Sequence, residues 1–143
     1  MGSAIQVVAA ILYYQNAVLL CKRKLGRTFP GFWEFPGGKV EPSETPAEAI
    51  ARELAEELFL SIPYRRFDYF TSNQIDYHNQ TYQLHFFTTQ ITAKPTESTD
   101  HNEFRFFTQL ELAQFLGSNP PIMTADRLPA QQLVEKWTMI FSK

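Results

Sequence analysis

The stretch "GGKVEPSETPAEAIARELAEELFL", Gly37 to Leu60, carries six glutamates against two basic residues, and Glu53, Glu56 and Glu57 fall within five positions. Thr45-Pro46-Ala47-Glu48 reads as a helix start, with a threonine N-cap, proline at the first helical position and glutamate at N3. The helix is expected over Pro46 to about Leu58, and Pro63 ends any continuation. At about 100° per residue, with Glu53 as zero, Glu57 lies near about +40° and Glu56 near about −60°. The three carboxylates share one face. Ile50, Leu54, Leu58, Ala47 and Ala51 form a neighbouring apolar stripe for the core.

Like charges at i,i+4, as in Glu53 and Glu57, cost roughly a few tenths of a kcal/mol even on an exposed helix. Phe59 and Leu60, not lysines, stand three and four positions beyond Glu56. Arg52 can neutralise at most part of the cluster. A hard divalent cation with oxygen ligands would supply the missing charge. Magnesium, held by one or two carboxylates plus substrate phosphates, suits best. Just before the helix, Gly37-Gly38 permits close backbone approach, and its carbonyls can serve as oxygen ligands.

From Gly38 onward the residues follow the pattern G-x5-E-x7-R-E-U-x-E-E-x-G-U, where U is a bulky aliphatic. Gly38, Glu44, Arg52, Glu53, Leu54, Glu56, Glu57 and Leu60 all fit. This resembles the Nudix box. "VVAAILYYQNAVLLCKRK", "WEFPGGKVEPSETP" and the overall length resemble the MutT-type branch of that family. The resemblance implies a single domain over residues 1–143 with a Nudix-type α/β/α sandwich, a mixed sheet with helices packed on both sides. It also implies hydrolysis of a nucleoside diphosphate linked to another moiety, with magnesium as cofactor and manganese as a substitute. One position departs from the box: its closing glycine is Phe59. A left-handed phenylalanine costs on the order of 1–2 kcal/mol, so the helix is expected to end differently, with Phe59 packed into the core.

The same resemblance assigns roles. Glu53, Glu56 and Glu57 would ligate metal, with a Gly37 or Gly38 carbonyl completing a site. Glu53 would also activate water, Arg52 would orient the glutamates, and Glu44 would be a structural partner of the loop. "DHNEFRFF" resembles the family's EHDEFRW-like segment and places Asp100 at a further acidic metal position, with Glu97 and Glu103 as competitors. His101, beside it, reads as polar surface. Arg23 matches a phosphate- or nucleotide-contacting arginine, whose fork suits phosphate oxygens, and Lys39 follows the glycine pair. Phe35 matches a base-contacting position. "MTADRLPAQQL" resembles the "PAN" or "PAD" turn that reads the base edge, which falls on Asp126; the same residue would serve equally as N-cap of the closing helix.

If Asp126 reads the base, an ionised carboxylate only accepts hydrogen bonds. The N1–H and N2–H₂ edge of guanine offers two donors, so a guanine-type triphosphate, including the 8-oxo form, is favoured. Such an activity would serve nucleotide-pool sanitation and DNA repair. A cytosine nucleotide would need Asp126 protonated or turned away. The alternatives are another Nudix substrate, such as ADP-ribose, a dinucleoside polyphosphate or a nucleotide sugar, and a nucleotide-binding domain without catalysis.

Around this stretch the chain reads as a mixed α/β to α+β protein. Strands are expected over Ala4 to Tyr14, Ala17 to Arg23, Tyr64 to Thr71, Thr81 to Thr92 and Glu103 to Phe107. Gln15-Asn16 and Asp76 to Gln80 read as turns, Phe29 to Pro36 as a loop entering a short strand, and Lys94 to Asn102 as a loop. Gln109 to Leu116 and Ala125 to Ile140 read as helices. Hydrophobic residues make up 44% and charged residues 20% of the chain, which excludes a disordered composition. The formal charge of −2 gives no footprint for duplex nucleic acid or an anionic membrane. No run approaches the roughly 18 apolar residues of a membrane helix, and the Met-Gly-Ser start lacks signal-peptide character. The single cysteine, Cys21, sits in an apolar run and reads as a buried thiol in a reducing cytoplasm. The expected partner is a nucleotide, on a monomer or homodimer.

Overall fold

The strand β1 (Ile5–Tyr14) organises the sheet, because its side chains are buried on both faces along its middle. The computed structural model describes residues 3–141; Met1, Gly2, Ser142 and Lys143 lie outside the described residues, as does the reading made of the first two. The remaining elements are β2 (Ala17–Arg23), β3 (Trp33–Glu34), β4 (Gly37–Lys39), α1 (Pro46–Leu58), β5 (Asp68–Tyr77), β6 (Gln80–Gln90), β7 (His101–Phe107), α2 (Gln109–Gly117) and α3 (Thr124–Phe141). The strands form one sheet in the order β3-β2-β1-β6-β5, with β4 also on β1 and β7 also on β2. β1 and β6 run parallel, and the other pairs are antiparallel. The sheet is mixed, as expected.

Strand periodicity sends alternate residues to opposite faces. Ala9 and Ile11 of β1 and Val18 and Leu20 of β2 enter one core, closed by Leu112 of α2 and by Ala125, Ala130, Leu133 and Trp137 of α3. Val8, Ala10 and Leu12, with Leu19 and Cys21, enter a second core, closed by Ala49, Ile50, Leu54 and Leu58 of α1. Helices therefore cover both faces. Among the described residues no helix is long and apolar enough to cross a membrane.

The hairpin ends correct two expectations. His78 and Asn79 have φ of 50° and 61°, and Tyr77 pairs directly with Gln80. Two left-handed residues in succession match the right-handed strand twist and need no longer loop. The strands thus run to within two residues of each other, where Asp76 to Gln80 reads as a turn from composition. At the other end, Tyr64–Arg66 is a 3-10 turn and β5 begins only at Asp68. The first two residues of β7 lie in the segment Lys94 to Asn102 expected to be a loop, and β3 falls within the Phe29 to Pro36 stretch. Gln15 and Asn16, with φ of 45° and 67°, make the other turn where it was expected. In α3, Pro129 has no N–H to offer the Ala125 carbonyl. The Asn73 side chain of β5 donates to that carbonyl at 3.0 Å, which repairs the helix and ties it to the sheet.

Phe59 overturns the expected helix ending. It adopts the left-handed conformation a glycine would take there, with φ 58° and ψ 32°, and the residue is 58% exposed. The N–H groups of Phe59 and Leu60 both reach the Leu54 carbonyl, at 3.2 Å from Leu60. Satisfying that carbonyl and returning Leu60 to the core outweighs the strain. Phe59→Gly removes the strain without removing a core contact. We expect about 1 kcal/mol of added stability, seen as a higher denaturation midpoint at unchanged slope; a lower midpoint would show the ring contributes more than the backbone loses.

Candidate active site

The helix α1 starts with the capping box its sequence announces: Thr45 Oγ1 accepts from the Glu48 N–H at 3.2 Å, and Glu48 accepts from the Thr45 N–H at 2.8 Å. Its three clustered carboxylates do not share one environment. Glu56 is exposed, Glu53 half-buried, and Glu57 buried with 4% of its surface accessible. Arg52 accounts for the outer part. Its guanidinium binds Glu44 at 2.7 Å, Glu56 at 3.1 Å and the Lys39 carbonyl at 3.0 Å. The Glu44 hydrogen bond to Arg52 holds that carboxyl below the usual carboxylate range. Glu44 also accepts from the Glu41 N–H at 2.8 Å, so Arg52 and Glu44 together pin the loop before α1.

The glycine pair has a steric reason. Gly37 and Gly38 pair with Ala9 and Val8 of β1. A Cβ on Gly37 would strike the Val8 carbonyl and the Ala9 backbone, and one on Gly38 would occupy the space of the Glu53 carboxylate. Glu53 is therefore lodged against β4. Burial, in the first place, raises its pKa. Lys39 is exposed beside this pair.

Glu57 points inward. Burial first, then the charges of Glu34 and Glu53, push its carboxyl up to about 8. Glu34, on β3, is a residue that the sequence did not single out. Arg23 Nη1 donates to both of its oxygens at 3.1 Å, and His101 Nε2 lies 2.8 Å from Oε2. His101 is buried, not surface polar as expected, with Nδ1 3.5 Å from Glu57. Its enclosure follows from the sheet: Arg23 is the register partner of His101, and Cys21 that of Glu34. Burial raises the thiol of Cys21, and the Glu57 and Glu34 charges add to that.

The other candidate residues fall as follows. Asp100 forms an ion pair with Arg27. Glu97 is exposed, and Glu103 pairs with Lys22 at 3.6 Å. Arg23 is engaged on three sides, since its Nε and Nη2 also bind the Thr28 carbonyl and hydroxyl at 2.5 and 2.8 Å. Phe35 is buried and packs edge-on against Phe86. Its N–H donates to Asp126 Oδ2 at 2.9 Å. Asp126 is not the N-cap, because α3 begins two residues earlier, at Thr124. Burial raises its carboxyl well above the usual range, and the Glu34 charge adds to this. A cavity of about 580 Å³ lies at the other end of β1 among Tyr13, Tyr14, Asp68, Gln90 and Phe141, and holds none of these residues.

The sequence matches the NUDIX domain over residues 4–127. The chain belongs to the Nudix family. Within that family its relatives are MutT-like. It is 40% identical over 81 residues to the CTP pyrophosphohydrolase of Escherichia coli (strain K12), covering 57% of this chain and 58% of that protein. It is 49% identical over 47 residues to the 8-oxo-dGTP diphosphatase of Proteus vulgaris, covering 33% and 42%. These alignments span less than two thirds of either relative. The solution structure of the E. coli ORF135 protein superposes with a TM-score of 0.79 at 26% identity, covering 99% of this chain and 96% of that one. A MutT protein from Methanosarcina mazei Go1 shares the fold at a TM-score of 0.76 and 24% identity, covering 98% and 96%.

Nudix enzymes use divalent ions, and the donor chemistry here suits one. Glu57 is a buried carboxyl facing two further carboxylates, which is the situation a hard cation resolves. Among the described residues no three Asp, Glu, His or Cys side chains already converge as a cage, since Arg52 holds Glu56 outward. The stability that protonated Glu57 contributes is full below its unfolded value, about 4.3, and is lost as pH rises to about 8. Metal-free protein should lose melting temperature between about pH 5 and about pH 9, and Glu57→Gln should flatten much of that slope. Parallel slopes for the two proteins would refute the assignment. Gly38→Ala should displace Glu53 and lower turnover at least about 10-fold with little change in melting temperature; full activity would show that the contact is dispensable.

Proposed function

We propose that this chain hydrolyses a nucleoside triphosphate to the monophosphate and pyrophosphate in a magnesium-dependent reaction. The observation that carries this reading is the pairing of a half-buried Glu53, lodged on Gly38, with the buried Glu57 behind it. Magnesium, held by Glu53, Glu56, Glu57 and a Gly37 or Gly38 carbonyl, would lower the pKa of bound water and neutralise phosphoryl oxygens. Asp100 would join that set by leaving Arg27.

The chain's own residues do the positioning. Water adds to phosphorus, a P–O bond to the pyrophosphate group breaks, and the Glu53 carboxylate takes the proton. A carboxylate with a raised pKa is a stronger base for that transfer. Arg52 keeps the helix and the loop before it in fixed relation, so Glu53 is presented at a constant distance from Gly38. The exposed Lys39 is free to meet phosphate oxygens. Arg23 would meet the nucleotide from the strand edge once Thr28 is displaced from its fork.

For the base, ionised Asp126 favours guanine, including its 8-oxo form, in keeping with the relatives named 8-oxo-dGTP diphosphatase. A second reading is favoured by the burial of Asp126, which raises its carboxyl. A protonated carboxyl presents one donor and one acceptor, the complement of cytosine N3 and its amino group. The relative named CTP pyrophosphohydrolase agrees with that reading. A panel of dGTP, 8-oxo-dGTP, dCTP and CTP with magnesium, products identified by mass, separates the two. Glu53→Gln should lower turnover about 100-fold or more in an intact fold; a variant that keeps most activity removes Glu53 from the mechanism. Asp126→Asn should keep cytosine turnover if the second reading holds and lose guanine turnover if the first does, because its amide offers one donor and one acceptor.

A further inference from the structure

Behind the α1 carboxylates, the structure assigns to Ser98 and His101 a shared positioning role: Ser98 sets the His101 ring so that its Nε2–H holds the Glu34 carboxylate, which in turn holds Arg23. The chain of contacts is continuous. Ser98 Oγ accepts from the Asp100 N–H at 3.1 Å and the His101 N–H at 3.2 Å. Both acceptor positions of the hydroxyl are then in use, so its own hydrogen is directed to the remaining neighbour, His101 Nδ1, at 2.9 Å. With Nδ1 accepting, Nε2 carries the ring proton and donates to Glu34 Oε2 at 2.8 Å.

Geometry explains why Glu34 needs such a clamp. Its carboxylate stands near two other carboxyls, and the Glu57 and Asp126 groups both feel its charge. The His101 side chain is wholly buried and the Glu34 side chain only 17% exposed, so the two are held in one rotameric arrangement. Arg23 closes the relay on the far side, gripping Glu34 with Nη1 and Thr28 with Nε and Nη2. The same two loops are tied a second time by the Arg27–Asp100 ion pair and by the Lys24 N–H donating to the Asp100 carbonyl at 3.3 Å. A loop residue, Ser98, thereby determines how the arginine expected to meet the nucleotide is presented. The kinetic half of this inference rests on the proposed nucleotide hydrolysis; the tautomer half does not.

Two measurements test it. Nitrogen NMR of the histidine side chains in nucleotide-free protein should show His101 with a protonated Nε2 and a bare Nδ1, and Ser98→Ala should mix the tautomers. A protonated Nδ1 in the wild type, or an unchanged spectrum in Ser98→Ala, overturns the assignment. In kinetics, His101→Leu keeps the volume and removes the donor, and should lower kcat/KM by about 10- to 100-fold. His101→Gln, which restores a donor toward Glu34, should recover much of that loss. Equal activities for Leu and Gln would mean that the ring only fills space. If the Leu variant fails to fold, the Ser98→Ala spectrum decides alone. If the wild type turns over no nucleotide while the tautomer is as stated, the proposed function fails and the relay stands.

Discussion

A carboxyl group withdrawn from water between two others must be neutralised by a proton or a cation, and much of this molecule is arranged around one such group, Glu57. It lies on the inward edge of α1, with Glu34 of β3 and Glu53 of its own helix as charged neighbours. Burial makes it hold a proton up to about pH 8. The same helix must bury Ile50, Leu54 and Leu58 against β1 and β2, so the acidic edge cannot rotate into solvent without emptying the second core. Packing thus enforces an electrostatic condition that packing alone cannot satisfy.

The surroundings divide the problem by depth. Outermost, Arg52 satisfies Glu44 and Glu56 and ties the loop before α1 to the helix. In the middle, Gly38 provides the recess in which Glu53 lies. Deepest, the wholly buried His101 supplies a hydrogen-bond donor to Glu34. This grading suits the Nudix reaction proposed for the chain. An outer ion pair can open to admit an ion and a polyphosphate, whereas an inner relay has to stay fixed for the carboxylates to keep their orientation.

Much of this is legible in the sequence. The capping box, the span of α1 and its apolar stripe follow from contacts within one or two helical turns, which periodicity reports directly. The two turns differed in their boundaries because nothing in the composition of Asp76 to Gln80 distinguishes a two-residue left-handed turn from a longer loop. Phe59 misled for a related reason. Steric cost argues against a left-handed phenylalanine, but the cost is local and the gain, a satisfied Leu54 carbonyl and a returned Leu60, is not. For Glu34 a weak signal existed, an acidic residue between two aromatics beside the glycine pair. For His101 only its place in the "DHNEFRFF" segment hinted at more than surface.

By itself, then, the sequence determined the family pattern, the helix that carries the acidic edge and the identity of the groups able to take part, because those depend on residue type and short spacing. Only the tertiary structure decided which carboxyl is buried, that Arg23 is already gripped and that Asp126 serves the Phe35 backbone. His101 meets Glu34 across 67 residues of chain and Asp126 meets Phe35 across 91. Pairings at that separation are set by strand order and register, and depth from solvent is a property of the whole packed sheet; neither is encoded in any window of neighbouring residues.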